Sequence, residues 1–248
     1  MSLAVTVLGS SGMFATAERA ASGYLVDLDG MRLWMDAGSG TWQNLVAGID
    51  HGTLDGVLLT HRHPDHTTDV FQAEHARLYW SSPPLDPIPL WAPAETLERL
   101  QGFERDLHEA FELTEIAAGG SLSLGGTKLS FVEMAHPPET VGVRFEHAGG
   151  IFAYSADSGE DADFEALAAE ADLFVCEATF QDRDEIWFGH LRASQAAGIA
   201  ARVRARELLL THLPPGRDAV VSLEEARAAA AGLRCSLAAD RQRVEVRG

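Results

Sequence analysis

The 248-residue sequence predicts an α+β protein built as a four-layer αββα sandwich, with helices outside two packed β-sheets. Strand-like apolar runs form two β-rich halves, and helical runs follow each half. Histidine and aspartate residues stand directly after several of the strand-like runs and are spread from position 61 to position 212. One site would therefore need most of the chain, and no linker divides it, so we expect a single domain over residues 1–248.

The first half alternates short apolar runs with helical spacing. Residues 67–80 have helical periodicity, and His75 within them is expected on the helix surface. The Pro-rich segment 81–87 predicts a rigid surface connection to the next strand. The predicted strands of this half are 3–8, 22–28, 31–36 and 56–60, with a short helix near 41–48.

The second half has more strand-like runs, which we expect to form a sheet of their own. The strand signals are 88–91, 113–116, 122–124, 127–134, 140–147 and 150–154, with a helix at 94–110. Apolar runs around Cys176 and at 208–210 predict two further strands, and a final strand follows the last helix. The remaining predicted helices are 163–170, 192–204 and 222–231.

The densest group of chemically active residues is the segment L-T-H-R-H-P-D-H after the strand at 56–60. It places His61, His63, Asp65 and His66 within six residues. On an extended chain His61 and His63 point the same way, and the turn at Pro64 brings the other two to a second position. This loop therefore predicts two adjacent metal ions. The alternative is a solvated His-rich turn, but such residues rarely cluster without a metal.

The pattern H-x-H-x-D-H is the signature of the metallo-β-lactamase fold, and the sequence resembles that superfamily from end to end. The resemblance implies that His136 of A-H-P, Asp157 of A-D-S and His212 of L-L-L-T-H are the remaining ligand positions. The family usually has G-D-T at the second of these. It further implies one ion held by His61, His63 and His136, a second held by Asp65, His66 and His212, and Asp157 bridging both. Taken singly, His136 and Asp157 are equally compatible with turn residues or a helix cap.

The donor set indicates which metal and which chemistry to expect. Imidazoles mixed with carboxylates suit Zn²⁺ best, although Mn²⁺ and Fe²⁺ use similar ligands. Two ions about 3.5–4 Å apart can hold a bridging hydroxide as nucleophile and neutralise the charge that develops in an in-line displacement. Hydrolysis is therefore the expected reaction class.

A second group of residues resembles the ribonuclease Z branch of the superfamily. Residues 176–180 (C-E-A-T-F), Gly189-His190 and the helical stretch 194–197 are similar to its E-A-T and G-H-S-T segments, although this chain has G-H-L-R. The resemblance implies phosphodiester hydrolysis in which His190 passes a proton to the leaving oxygen, oriented by Glu177. We count Asp65, His190 and Glu177 as candidate catalytic residues. Otherwise His190 is a surface residue at a helix start, and Glu177 a strand-end carboxylate bonded to the metal loop.

Charge and length bear on the substrate. With 37 acidic and 19 basic residues, the net charge of −18 opposes binding of a polyanion. We identify one modest basic patch, formed by Arg192, Arg202, Arg204 and Arg206 on and near a late helix. Ribonuclease Z proteins carry an arm that clamps transfer RNA. The arm is inserted in the sequence between the bridging aspartate and the last ligand, and the 32 residues between Asp157 and His190 leave no room for it.

The sequence predicts a cytoplasmic protein that neither crosses nor binds a membrane. Its two cysteines give no disulfide framework, the N-terminus has no exported leader, and no apolar run approaches the roughly 18 residues of a membrane span. Whether the chain acts alone or as a homodimer is open.

Three functions remain in competition at this stage. The first is a small-molecule phosphodiesterase, with 3′,5′-cyclic AMP as leading candidate; L-L-L-T-H-L-P-P and the following helix and strand resemble actinobacterial cyclic-nucleotide phosphodiesterases of this fold. The second is a ribonuclease Z-like endonuclease acting at the 3′ side of transfer RNA. The third is a non-catalytic metal-binding protein.

A few residues outside the ligand set also receive expectations. The loop 8–12 is either a plain turn or a source of N–H groups for a phosphate. Trp187 and Phe188, just before His190, are suspected of lining a base-sized pocket. The five tryptophans otherwise indicate core or rim packing, and His51, His108 and His147 are expected on the surface.

Overall fold

The computed structural model describes residues 2–248, and within them two seven-stranded sheets lie between helices. The first sheet contains, in spatial order, β14 (Arg243–Val246), β1 (Leu3–Gly9), β2 (Gly23–Leu28), β3 (Met31–Met35), β4 (Gly56–Leu58), β5 (Ile88–Ala92) and β6 (Phe111–Glu115). The second contains β13 (Arg234–Leu237), β12 (Glu207–Thr211), β11 (Leu173–Glu177), β10 (Gly150–Tyr154), β9 (Val141–His147), β8 (Thr127–Glu133) and β7 (Ser121–Leu124).

The helices are short and connect or follow the strands. They are α1 (Thr41–Gly48), α2 (Pro64–Thr67), α3 (Val70–His75), α4 (Ala94–Phe103), α5 (Phe164–Ala168), α6 (Ala193–Arg202) and α7 (Ala219–Ala229). A π-helical turn (Ala76–Trp80) extends α3, and 3₁₀ turns lie at His51–Thr53 and Arg105–Glu109. No helix among the described residues is long and apolar enough to cross a membrane.

The two sheets repeat one design. In the first, the pairs from β14 to β3 are antiparallel and those from β3 to β6 are parallel. In the second, the pairs from β7 to β10 are antiparallel and those from β10 to β13 are parallel. Because the carboxyl ends of parallel strands meet at one edge, each sheet delivers its strand ends to a common place.

Side-chain alternation explains why four layers form. Val5 and Val175 belong to the core between the sheets, whereas Leu8 and Phe174, on the opposite faces of the same strands, pack under the outer helices. Each sheet is thus apolar on both faces, and burying one such side chain contributes about 1.5–3 kcal/mol. The α+β sandwich predicted from the sequence is confirmed.

Several sequence expectations need correction. The runs at 88–91 and 113–116 form β5 and β6 of the first sheet, not the second, because α4 connects them as parallel neighbours beside β4. The last strand, β14, also returns to the first sheet and pairs with β1. The helices predicted at 67–80 and 94–110 are each broken into shorter pieces. Trp80 is not packed: 82% of it is exposed.

Candidate metal centre

The residues around Pro64 are held by the end of β4 and the start of α2. Pro64 is the first helical residue, so Asp65 and His66 lie in the first turn of α2 rather than on the loop that the sequence predicted. Proline at this position loses no helical hydrogen bond, and its fixed φ starts the helix. His61 and His63 precede it, so this short segment presents four donors to the interior edge of both sheets.

Four donors meet at a first position. His61 Nε2 and His136 Nε2 each lie 3.2 Å from His63 Nδ1. Asp157 Oδ2 lies 3.7 Å from His61 Nε2 and 3.9 Å from His136 Nε2. A tetrahedral ion with bonds of 2.0–2.1 Å separates its ligand atoms by about 3.3 Å. These atoms are therefore placed as the corners of one coordination site.

A second position lies on the other side of Asp157. His212 Nε2 is 3.3 Å from Asp65 Oδ2, and His66 Nε2 is 3.9 Å from the same oxygen. Asp157 Oδ1 lies 3.3 Å from His66 Nε2 and 3.4 Å from His212 Nε2. Asp157 thus turns one oxygen to each position, which is the arrangement a bridging carboxylate requires.

Two buried atoms test whether the cluster fits a metal ion. His66 Nε2 and Asp157 Oδ1 lie 3.3 Å apart without the geometry of a hydrogen bond, and neither has another hydrogen-bond partner among residues 2–248. A buried polar atom without a partner costs about 1–3 kcal/mol, so such atoms call for an explanation. A divalent cation between them supplies one. The His/Asp cluster is accordingly compatible with a divalent metal site, and mixed imidazole and carboxylate donors suit borderline ions such as Zn²⁺.

Burial and neighbouring charges shift the pKa values of the cluster in both directions, and a cation at the second position would have to displace the proton that these charges favour on His66. Burial lowers the pKa of His61 well below its usual value, and the neighbouring imidazole of His66 lowers it further. Burial acts the same way on His66, but the carboxylates of Asp157 and Asp36 outweigh it and hold the pKa of His66 well above the usual value. Burial opposes ionisation of Asp157, yet the imidazoles of His212 and His66 hold its pKa well below the usual value. Asp157 is therefore ionised.

Asp36, which the sequence reasoning missed, fixes ligands at both positions. It follows β3 and is fully buried, and its Oδ2 accepts a hydrogen bond from His66 Nδ1 at 2.7 Å. The Thr60 hydroxyl also donates to Asp36, so His61 Nδ1, at 3.1 Å from Thr60 Oγ1, donates to that hydroxyl. Tyr154 donates to the same carboxylate from the opposite sheet at 3.0 Å. The signal was present in the sequence: Asp36 follows an apolar strand just as Asp157 does.

Glu177 does the corresponding work in the second sheet. It is fully buried at the end of β11, and its Oε2 accepts from the Thr179 hydroxyl at 2.8 Å. His212 Nδ1, 3.0 Å from Thr179 Oγ1, donates to that hydroxyl. The other oxygen of Glu177, Oε1, accepts from His190 Nδ1 at 2.6 Å. The sequence reasoning placed Glu177 beside His190 but did not identify Thr179.

The backbone turns sharply where these side chains leave the strands. Asp36, Ala156 and His212 have φ values of 55°, 51° and 58°, in the left-handed region that non-glycine residues seldom occupy. Each follows the end of a strand, namely β3, β10 and β12. Left-handed non-glycine residues cost about 1–3 kcal/mol each and persist where the surroundings over-determine them. Here the turn directs the carboxylate or imidazole into the cluster.

His190 stands at the entrance of the cluster. Its side chain is 15% exposed, whereas those of His61 and His66 are fully buried. Burial lowers the pKa of His190, but Glu177 outweighs burial and raises it to about 9. The ring is therefore cationic at neutral pH, and Nε2 is left free because Nδ1 is bonded to Glu177. His190 also has a ligand atom within 4.8 Å of Asp157 and His212, so the geometry alone permits a ligand role.

The loop after β1 closes over the second position. Met13 N–H donates to Asp65 Oδ2 at 2.9 Å, and the N–H groups of Ser11 and Gly12 are bonded to Ala20 and Leu213 carbonyls. These donors are engaged within the protein, which favours the plain-turn interpretation over phosphate binding. The loop instead orients Asp65.

The remaining expectations have mixed outcomes. His75 is exposed at the end of α3, as predicted. His147 is not a surface residue: only 3% of its side chain is exposed, and it forms an ion pair with Asp29. The predicted basic patch differs in two respects. Helix α6 ends at Arg202, so the next two arginines lie beyond it, and both of them pair with acids. These pairs are Arg204 with Glu170 and Arg206 with Asp172.

Comparisons with known proteins agree with this geometry. The β-lactamase superfamily domain matches residues 32–213. The chain belongs to this superfamily. An uncharacterised protein of Mycobacterium leprae (strain TN), ML1173, is 33% identical, covering 90% of this chain and 82% of its own length. Ribonuclease Z of Mycobacterium sp. (strain KMS) is 31% identical, covering 98% of this chain and 95% of that protein.

The probable metallo-hydrolase YhfI of Bacillus subtilis is similar in both sequence and structure. Its sequence is 30% identical, covering 85% of this chain and 86% of that protein. Its crystal structure superposes with a TM-score of 0.90, 28% identity, 99% of this chain and 100% of that one. These likenesses confirm the superfamily and are consistent with its ribonuclease Z-like branch. Family and cluster together support a metal-dependent hydrolase.

Proposed function

We propose that the protein is a binuclear metal-dependent phosphodiesterase that hydrolyses a small phosphodiester, with 3′,5′-cyclic AMP as the leading candidate. The observation behind this proposal is the Glu177–His190 pair beside the two-position cluster. A cationic imidazole at the mouth of a two-metal site is the group that a poor alkoxide leaving group requires. Two Zn²⁺ ions are the proposed cofactors, with Mn²⁺ or Fe²⁺ as alternatives.

Each side chain then has a task. Two divalent cations would supply Lewis-acid stabilisation of the phosphoryl charge and a water of lowered pKa. His61, His63 and His136 would hold one cation, Asp65, His66 and His212 the other, and Asp157 both. His190 would donate the proton on Nε2 to the leaving oxygen, while Glu177 keeps Nδ1 protonated and orients the ring. One P–O bond breaks and one forms, so a diester and water give a monoester and an alcohol.

The charge distribution supports a small substrate. Two arginines close in sequence to His61 and His212 are paired with acids, Arg62 with Glu95 and Arg217 with Asp184. The net charge of −18 opposes binding of a polyanion, whose repulsion an extended basic surface would have to offset. A single phosphodiester carries one negative charge, which two cations and His190 can neutralise. We therefore propose a small nucleotide diester as the partner of this site.

The second candidate function is processing of transfer RNA at its 3′ side, and the similarity to ribonuclease Z over 98% of the chain favours it. Against it, the segment between Asp157 and His190 contains α5, β11 and their loops, and no protruding arm occurs in this described part of the chain. RNA binding through many phosphates would weaken steeply with salt, whereas binding of one diester would not. A non-catalytic role leaves the Glu177–His190 pair unexplained.

A panel of phosphodiesters tests the proposal. Metal-loaded protein is assayed on 3′,5′-cyclic AMP, bis-p-nitrophenyl phosphate and precursor transfer RNA, with chelated protein as control. We expect 5′-AMP or 3′-AMP from the cyclic substrate and little processing of the RNA. Efficient RNA cleavage at physiological salt with inert cyclic nucleotides would establish the second candidate. We also propose a cytoplasmic location, because Cys176 and Cys235 are both free thiols, as is usual in a reducing compartment. Fractionation of native cells would test this.

A further inference from the structure

Two aromatic side chains stand unshielded beside the metal cluster. Trp187 is 41% exposed and Phe188 is 67% exposed, with ring centroids 4.8 Å apart. Single exposed aromatic residues are ordinary on a protein surface. These two are different because Trp187 packs on His136 and His190 of the cluster, and Phe188 packs on Trp187.

The Trp187 ring is held in place by the site itself. It meets His136 edge to face with centroids 5.6 Å apart, and its centroid lies 5.4 Å from that of His190. The same segment is attached to the cluster, because His136 Nδ1 donates to the Gly189 carbonyl at 2.8 Å. One part of the indole therefore packs on two site residues while another part faces solvent.

Two glycines make this placement feasible. A Cβ at Gly189 would lie 2.2 Å from the Trp187 ring, and a Cβ at Gly159 would lie 1.7 Å from the Phe188 carbonyl oxygen. Both distances are far inside van der Waals contact. A side chain at Gly189 would thus displace the indole itself, and one at Gly159 would displace the backbone of the segment that carries it.

We infer that Trp187 is a specificity-determining residue, whose exposed indole stacks on the nucleobase of the phosphodiester cleaved at the adjacent cluster. This inference rests on the proposed function and specifies its substrate: a diester that carries a planar heterocycle. Every base offers a π-face, and base–aromatic stacking changes affinity by about 5- to 150-fold on alanine substitution. Since overlap grows with ring size, purines should be preferred to pyrimidines.

Matched ligands isolate the base from the phosphate. We would measure binding of 5′-AMP and ribose 5-phosphate to wild type, Trp187→Ala and Trp187→Phe by calorimetry, with metal content checked by elemental analysis. Trp80→Ala, which removes an exposed tryptophan outside the site, is the control. We expect Trp187→Ala to weaken 5′-AMP about 5- to 150-fold and leave ribose 5-phosphate unchanged, and Trp187→Phe to restore most of the difference.

Hydrolysis provides a second test, with cyclic AMP and a base-free 3′,5′-cyclic phosphate as substrates. We expect Trp187→Ala to lower kcat/KM for cyclic AMP and to leave kcat/KM for the base-free substrate unchanged. Equal binding of both ligands by wild type, or equal weakening of both by Trp187→Ala, overturns the inference. So does a change in oligomeric state for Trp187→Ala in light scattering, because the ring would then cover a protein surface. Failure of the proposed function has another signature: metal-loaded wild type would hydrolyse no phosphodiester of the panel, whatever the binding data show.

Discussion

Asp36 and Glu177 are two buried carboxylates that hold histidines in the same manner and to different ends. Each accepts from a threonine hydroxyl that in turn accepts from a metal-position histidine, His61 for Asp36 and His212 for Glu177. Each also accepts directly from a second imidazole. Asp36 holds His66, which is fully buried within the cluster, whereas Glu177 holds His190 at the entrance. One carboxylate therefore orients a histidine inside the cluster, and the other orients a histidine that solvent can reach.

The difference follows from where the sheets place the two carboxylates. Asp36 lies directly under the first turn of α2, so its partner imidazole points inward between both metal positions. The partner of Glu177 comes from the loop before α6, whose Gly189 carbonyl accepts from His136 Nδ1. His66 therefore stands on a helix, whereas His190 stands on a loop, where groups that contact substrate are often found.

The largest effect should come from Asp157, because it faces both metal positions. Asp157→Ala removes one oxygen from each metal position, so we expect loss of both ions and activity at the level of chelated wild type. Metal analysis of protein purified without chelators provides the readout. A variant that keeps one ion and full activity would contradict a bridging role, and Asp163→Ala, a helix-cap carboxylate outside the cluster, controls for the loss of charge.

Removing the proton donor should be the next largest effect. His190→Ala should keep the metal content and lower kcat for an alkyl phosphodiester by about 10²–10⁴-fold, the usual scale for a general acid. A p-nitrophenolate leaving group needs no proton, so the variant should recover much of its rate on a nitrophenyl diester. An equal loss on both substrates, or loss of a metal ion, would make His190 a binding residue or a ligand instead.

A matched pair of amide substitutions tests whether the two carboxylates differ as proposed. Asp36→Asn and Glu177→Gln keep size but replace one accepting oxygen by an NH₂, which faces either an imidazole N–H or the threonine donors and loses those hydrogen bonds. Loss of such an outer contact to a ligand typically lowers metal affinity by about 10–100-fold, which we expect for Asp36→Asn alone. Glu177→Gln should instead lower kcat and spare most metal binding. Competition with a chromophoric chelator measures the first effect and steady-state kinetics the second.

If both substitutions lowered metal affinity equally, the comparison would fail, and His190 would belong with the ligands. If instead Asp36→Asn and Glu177→Gln lowered kcat equally at full metal occupancy, the comparison would fail in a second way. Asp36 would then act on the reaction and not on the ligands.

The sequence indicated which histidines and aspartates gather in the cluster better than it indicated the carboxylates that orient them. His61, His63, Asp65 and His66 share a short segment, so their proximity was readable from spacing alone. The remaining ligand positions came from resemblance, because no periodicity connects residues 136, 157 and 212. Asp36 was missed since a lone aspartate after a strand resembles any turn residue. Only the packing of β3 beside β4 brings it under Thr60.

Sheet membership was also beyond the reach of local pattern. β5 and β6 have the same composition signals as strands of the second sheet, and β14 is separated from its partner β1 by nearly the whole chain. Pairing partners depend on crossover geometry and on which edge remains open, and neither is encoded in a short window. The overall sandwich was predictable because two β-rich halves with flanking helices agree with the fold that the family resemblance implies.

The smallest effect should come from the hydroxyl that connects the two sheets at Asp36. Burial raises the pKa of Tyr154 well above its usual value and Asp36 raises it further, so the phenol stays protonated and donates. Tyr154→Phe should lower the free energy of unfolding of the metal-free protein by about 1–3 kcal/mol, since the acceptor is a buried carboxylate. Its effect on metal affinity should be weaker than that of Asp36→Asn, because the imidazole of His66 and the hydroxyl and backbone N–H of Thr60 still donate to Asp36. Tyr24→Phe is the matched control: that phenol contacts Thr211 and not Asp36, so it should leave metal affinity unchanged. Denaturant titration with and without Zn²⁺ separates the two, and equal effects of both variants on metal affinity would exclude a specific path from Tyr154 through Asp36 to His66.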